Sequence, residues 1–165
     1  MSVSFLRIDD RMIHGQTVTR WSLEYPCDGL IAVNDKAATT DALKMAYKSA
    51  STKKTFVWTY EAWKQKNQKV LDSKDQYFLI TKDPIQMKKI LVDDGFVPSD
   101  VKKVIVGPCN DRPGATKLGN NQSITQEEAE ALEAIYQAGY EIEFALIKEA
   151  SIGSWSKFRG QFGFN

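Results

Sequence analysis

VSFLRIDDRMIHGQTVTRWSLEY, residues Val3 to Tyr25, sets the reading frame for the rest of the chain. Val3–Ile8 is mostly apolar and reads as a strand. It stops at a charged loop, Asp9 to Gly15. Gln16–Glu24 then reads as a helix with Val18, Trp21 and Tyr25 near one side. The same alternation continues downstream. Leu30–Val33 is a second short apolar run, and Asp35–Ala50 a helix with Leu43, Ala46, Tyr47 and Ala50 at helical spacing. Thr55–Trp58 is β-branched and aromatic, as buried strands prefer, and Tyr60–Val70 is a more polar helix. Tyr77–Thr81 is the next strand. Asp83-Pro84 supplies an N-cap and a first-turn proline, with Gln86 placed to complete a capping box. Met87, Ile90 and Leu91 face that helix inward and Gly95 closes it. Val104–Val106 is a strand, followed by a loop from Gly107 to Ser123. Thr125 with Glu128 is a second capping box, ahead of the stripe Ala129, Leu132, Ile135, Tyr136. Gly139 ends that helix, and Ile142–Ile147 is the last clear strand.

Strands separated by helices at this spacing imply βαβ crossovers. The expected fold is α/β: a doubly wound, mainly parallel open sheet with helices on both faces. Ligands in such sheets bind beyond the carboxyl ends of the strands, where strand order reverses. The loops to inspect are therefore Asp9–Gly15, Asn34-Asp35, Thr59-Tyr60, Thr81–Pro84 and Gly107–Asn121.

Composition narrows the chemistry. The 165 residues include 22 basic and 21 acidic side chains, a net charge of +1 without the excess a nucleic-acid binder carries. The length suits a single domain spanning residues 1–165. No run of about 18 apolar residues could span a membrane. Met1 to Leu6 meets Arg7 and Asp9 too soon for a signal peptide. The two cysteines, Cys27 and Cys109, make no disulfide framework, which points to a reducing cytoplasm. Neither a GxGxxG nor a GxxxxGK[ST] motif is present, arguing against a dinucleotide or ATP cofactor. The single histidine excludes any site that needs two imidazoles. Any imidazole chemistry rests on His14.

His14 lies in the densest polar cluster, Arg7-Ile8-Asp9-Asp10-Arg11-Met12-Ile13-His14-Gly15-Gln16. A helix N-terminus favours an anion through unpaired N–H groups and the macrodipole. Gly15 lets backbone approach a ligand. Arg11 offers a planar fork of donors to phosphate oxygens. Asp9 or Asp10 can accept from one imidazole nitrogen, fixing the tautomer and leaving the other as nucleophile. A neutral imidazole so placed can accept a phosphoryl group. The same residues also fit a solvated loop with local ion pairs of little worth.

The run RIDDRMIHGQ resembles the signature of the IIB component of the mannose/fructose/sorbose family of the bacterial sugar phosphotransferase system. The resemblance continues through Thr19-Arg20-Trp21, Val33-Asn34-Asp35, Ile80-Thr81-Lys82-Asp83-Pro84 and the loop Val106-Gly107 to Arg112-x-Gly114-x-Thr116, covering about residues 3–147. It implies that His14 is the phosphorylated residue, with the δ nitrogen taking the group from a phosphohistidine on the IIA component. His14 would pass it to the sixth-carbon hydroxyl of a hexose held by the membrane components IIC and IID. The activity implied is that of a protein-N(pi)-phosphohistidine–sugar phosphotransferase, with no metal or other cofactor. Mannose, fructose, sorbose, glucose and N-acetylgalactosamine are the candidate sugars. Arg11 matches the family's phosphoryl-contacting arginine. Arg7, Asp9, Asp10, Gly15, Gln16, Thr81 and Arg112 are expected to support the phosphate or its loop. The implied fold adds an antiparallel edge to the sheet. The implied location is the cytoplasm, peripheral to the transporter, and a homo-oligomer is left open.

The chain departs from the family pattern at Gly107-Pro108-Cys109, where Gly-Gly-Met is frequent, and at Asp111 and Ala115. The tail from Ser151 to Asn165 carries Trp155, Phe158, Phe162 and Phe164. It reads as a docking surface or, in preference, as a segment that folds back over the core or adds an edge strand. Trp58, Trp63 and Tyr60 read as core aromatics, Lys64, Lys66 and Lys69 as a solvent face, and Cys109 as an inert thiol. A competing function is a small-anion or sugar-phosphate binding module without turnover. A purely structural interaction domain fits less well, since structure alone does not require this chemistry at one strand–helix junction.

Overall fold

The computed structural model describes residues 2–98 and 100–165; Met1, part of the N-terminal segment weighed as a signal peptide, lies outside them. Among these residues seven strands make one sheet. They are β1 (Val3–Ile8), β2 (Gly29–Val33), β3 (Lys54–Trp58), β4 (Tyr77–Thr81), β5 (Lys103–Val106), β8 (Glu141–Ala145) and β9 (Ser151–Ser154), in the spatial order β3-β2-β4-β1-β5-β8-β9. All neighbours are parallel except β8 and β9, which are antiparallel. The doubly wound sheet with an antiparallel edge is thus present. A separate hairpin, β6 (Ala115–Gly119) and β7 (Gln122–Thr125), lies within the segment read as one long loop, Gly107–Ser123. Thr116 and Lys117 are exposed, so half of this ribbon lacks the apolar alternation that marks a strand.

The sheet buries both faces. Phe5, Leu30, Ala32, Phe78, Ile80 and Ile105 pack on Val18 and Trp21 of α1 (Gly15–Trp21), with Tyr47 of α3 (Asp41–Ser49) at the margin. On the other face Leu6, Ile8, Leu79, Val104 and Val106 meet Trp63 of α4 (Tyr60–Leu71), Met87 of α5 (Pro84–Lys88) and Leu132 of α6 (Gln126–Gln137). A register shift between Val3 and Phe5 puts Val3 on the face of Leu6 rather than that of Phe5.

Several boundaries move for local reasons. The helix expected over Asp35–Ala50 breaks at Thr40, whose extended backbone (φ −106°, ψ 107°) ends α2 (Asp35–Thr39) and starts α3. Asp83 caps α5 by accepting from Gln86 N at 2.9 Å, but the Gln86 side chain does not return the bond and its Nε2 has no partner. That capping box is half made. The second is complete, with Thr125 and Glu128 bonded both ways. After α5 the chain widens into a π-type turn over Lys89–Asp93 before Gly95 leaves in the left-handed conformation (φ 65°).

The aromatic tail is held inward. β9 adds the edge strand, and α7 (Trp155–Phe158) with the 3-10 turn after it (Arg159–Phe162) places Trp155, Phe158 and Phe162 in the core. These rings are covered and do not form a docking surface. Glu133 of α6 clamps the tail: its Oε1 accepts from Trp155 Nε1 and Arg159 Nε, each at 2.9 Å, and its Oε2 from Arg159 at 2.5 Å. The Arg159 hydrogen bonds, helped by those from Gln137 and Trp155, hold the Glu133 carboxyl down to about 2 against its own burial. A carboxylate depressed from 4.5 adds stability that is complete above about pH 4.5 and is lost as pH falls towards 2. The melting temperature of the native chain should therefore fall between pH 4.5 and 2 more steeply than that of Glu133→Gln, measured by calorimetry across that range.

Candidate functional site

The connections leaving β1 and β5 run to opposite sides of the sheet, so a crevice opens between their carboxyl ends. The Asp9–His14 loop sits there. Backbone bonds tie its start to both neighbours: Asp9 N donates to Thr81 O at 3.0 Å, Asp10 N to Pro108 O at 2.9 Å, and Gly107 N to Ile8 O at 2.7 Å. Met12 N then bonds back to Asp9 O at 2.8 Å, with Met12 in the left-handed region (φ 58°). For a side chain other than glycine that conformation costs about 1–2 kcal/mol. Burial of Met12 and Ile13 beneath the loop holds it in place. The turn brings His14 to the N-cap of α1.

Beneath the loop is an ion-pair stack. Arg7 on β1 is 3% exposed and Asp9 1%, and their side chains meet at 3.2 Å. Arg7 Nη1 and Nη2 also donate to the carbonyls of Ala145 and Leu146, at 3.2 and 3.0 Å, and its guanidinium lies 5.6 Å from the Trp21 ring centroid. Burial pulls Arg7 below the ordinary arginine value, while Asp9 opposes that shift. Gly107 makes room for it, since a Cβ there would collide with the guanidinium, 2.8 Å from Cζ. Above, Asp9 takes three bonds from Arg11: from N at 2.9 Å, Nε at 3.2 Å and Nη2 at 3.1 Å. Arg11 Nη2 reaches Thr17 Oγ1 at 3.1 Å, and Thr17 Oγ1 lies 3.4 Å from His14 Nδ1. A continuous chain thus runs Arg7–Asp9–Arg11–Thr17–His14.

The other expected residues sort differently. Neither Asp9 nor Asp10 contacts the imidazole; the group on Nδ1 is Thr17, a residue the sequence reading passed over. Its only advance signal is position, three residues past His14 and so on the same helical face. Asp10 faces away, with Oδ2 accepting from Asn110 N at 2.7 Å and Oδ1 unpartnered. Burial raises the Asp10 carboxyl. At Gly15 a Cβ would strike Ala50 O, so its smallness serves packing against the end of α3. Arg7 and Thr81 are buried supports, with the Thr81 hydroxyl donating to Asp83 O at 2.9 Å. Gln16 is exposed at the start of α1. Arg112 is engaged by Glu128, Asn110 O and Ser123 O, not by His14. It lines a separate cleft of about 220 Å³ with Asp10, Lys82, Asp83, Asn110 and Glu128. Cys109 is 4% exposed and burial pushes its thiol upward, consistent with an inert side chain.

A doubly wound sheet with an imidazole above an arginine–aspartate stack at its switch point defines the class: an α/β domain with its polar loop at the carboxyl ends of the strands. Residues 3–164 match the PTS system sorbose subfamily IIB component family, and the chain belongs to that family. It is 25% identical over 151 residues to the PTS system sorbose-specific EIIB component of Lacticaseibacillus casei, covering 90% of this chain and 89% of that one. It is 27% identical over 147 residues to the PTS system mannose-specific EIIAB component of Escherichia coli K12, covering 87% of this chain but only 44% of that longer protein. The IIBSor domain of the sorbose permease from Klebsiella pneumoniae shares the fold with a TM-score of 0.81 at 20% identity, covering 97% of this chain and 98% of the other.

Removing one partner of a buried ion pair typically costs about 3–5 kcal/mol. Asp9 keeps Arg11 when Arg7 is lost, so Arg7→Ala should cost about 3 kcal/mol in urea unfolding, with an unchanged denaturant slope.

Proposed function

We propose that this IIB component is a phosphoryl carrier that uses His14. The observation supporting this most directly is the buried Arg7–Asp9 pair, which holds Arg11 beside the residue touching His14 Nδ1. A donor and an acceptor must each reach the same imidazole, and a half-exposed ring at the open end of the sheet allows both. In the first transfer the Nδ1 lone pair attacks phosphorus of a phosphohistidine on a IIA component. The Nδ1–P bond forms, the donor N–P bond breaks, and its electron pair returns to the donor ring. In the second, the sixth-carbon hydroxyl oxygen of a hexose on the membrane IIC/IID components attacks phosphorus and releases its proton to solvent, while the Nδ1–P bond breaks and its electron pair returns to the His14 ring. Arg11 donates to the phosphoryl oxygens in both steps through Nη1, because Asp9 and Thr17 hold its Nε and Nη2.

The sugar in this reading is a hexose or amino-hexose, a choice supported by the sorbose- and mannose-specific names of two relatives. This reading locates the chain in the cytoplasm, at the surface of its transporter. Among the described residues no helix is long and apolar enough to cross a membrane.

Incubation with phosphoenolpyruvate, enzyme I, HPr and the cognate IIA should add one acid-labile phosphate to the native chain and none to His14→Ala. An unchanged intact mass of the native chain, with upstream components shown competent on their own IIB, would leave only the non-catalytic anion-binding reading. Arg11→Gln should remain phosphorylatable but about a hundredfold slower, the usual scale for loss of one preorganised donor. Quenched-flow mass spectrometry provides that rate.

A further inference from the structure

We propose that Thr17 is a positioning residue that selects the Nε2–H tautomer of His14 and so keeps the Nδ1 lone pair available. This rests on the carrier reading above for its consequence in catalysis, though not for the tautomer itself. The argument is one of proton counting. Thr17 Oγ1 has two side-chain partners, Arg11 Nη2 at 3.1 Å and His14 Nδ1 at 3.4 Å. A guanidinium only donates, so the first bond uses an oxygen lone pair. The contact fits either direction, because the oxygen has a second lone pair. Among the described residues, however, the hydroxyl proton has no acceptor except Nδ1, so an Nδ1–H would leave that proton unbonded in a buried side chain. The arrangement that uses every donor has Nδ1 bare and the proton of the neutral ring on Nε2.

The surroundings enforce that direction. Arg11 cannot turn away from Thr17, because Asp9 holds its N, Nε and Nη2. Asp9 cannot follow the ring, because Arg7 holds it from below. Neither loop carboxylate reaches the imidazole to take an Nδ1 proton, and Nε2 makes no hydrogen bond to the described residues. Thr17 is itself 8% exposed, so water does not readily replace it.

The length of the Thr17–His14 contact matters too. At 3.4 Å it is well beyond the roughly 2.7–2.8 Å of an ordinary hydroxyl hydrogen bond. A short bond would occupy the lone pair; a long one orients it and gives way as phosphorus approaches. The hydroxyl keeps its proton throughout.

His14 is the chain's only histidine, so its ring gives a single, unambiguous set of two-bond nitrogen–proton correlations in the uniformly ¹⁵N-labelled protein. At a pH where the ring is neutral, the native chain should show protonated Nε2 and bare Nδ1. Thr17→Val, which keeps the shape and removes the hydroxyl, should raise the Nδ1–H share. It should also slow phosphorylation about fivefold, the worth of roughly one net hydrogen bond. Thr17→Ser should restore both. A native ring protonated on Nδ1 overturns the proposal without any variant, as does a Thr17→Val ring with the native tautomer. The tautomer is read with no phosphoryl donor present. A native chain that shows the expected tautomer but takes no phosphate therefore refutes the carrier reading and leaves the tautomer assignment standing.

Discussion

Arg7 and Asp9 form an ion pair with almost no water around it, at the carboxyl end of the middle strand of the sheet. Two charges taken out of water are costly unless each is fully bonded. The neighbouring structure supplies those bonds. β8 ends with its Ala145 and Leu146 carbonyls turned to Arg7. Gly107 has no side chain where the guanidinium passes. Arg11 folds back from the loop to complete Asp9. The loop geometry is therefore largely a consequence of satisfying this pair, and His14 sits at the free end of the resulting chain of bonds.

This also accounts for the tolerated departures in the second loop. Pro108 meets the first loop through its carbonyl, which accepts from Asp10 N, a role any residue could fill. Cys109 bonds through its backbone to Asn121 and Ser123 while its side chain joins the core. Asp111 accepts from the amide of Arg112 beside it. None of these side chains touches His14. Arg112, retained in the pattern, is tied up by Glu128 and stiffens the hairpin side of the crevice. The two clusters thus have separate tasks at one end of the sheet.

Much of the fold was legible in the chain because burial leaves a period. β1 and β4 match the apolar runs Val3–Ile8 and Tyr77–Thr81 residue for residue, and Thr125 with Glu128 forms the box its spacing announces. The misses are places where period carries no information. Thr40 is β-branched and not a strong breaker, yet its extended backbone divides a helix into α2 and α3, both of which pack against β3. The hairpin at Ala115–Thr125 is half exposed and so lacks alternation. Gln86 has the right spacing for a capping box but its side chain does not make the return bond.

At the site, sequence alone determined which residue types could act: a single imidazole, an arginine three residues ahead of it, and carboxylates on a strand–helix loop. Their linear spacing suggested that an aspartate would bond the ring. Only the tertiary structure decided otherwise. Asp9 is drawn down to Arg7, Asp10 is turned across to Asn110, and the contact to Nδ1 passes to Thr17. The physical reason is that a buried charge must be neutralised by groups from several strands at once. Those groups are adjacent only after β1, β5 and β8 lie side by side. Local sequence specifies the chemistry on offer, whereas the competition for partners is settled by what the folded sheet brings within hydrogen-bonding distance.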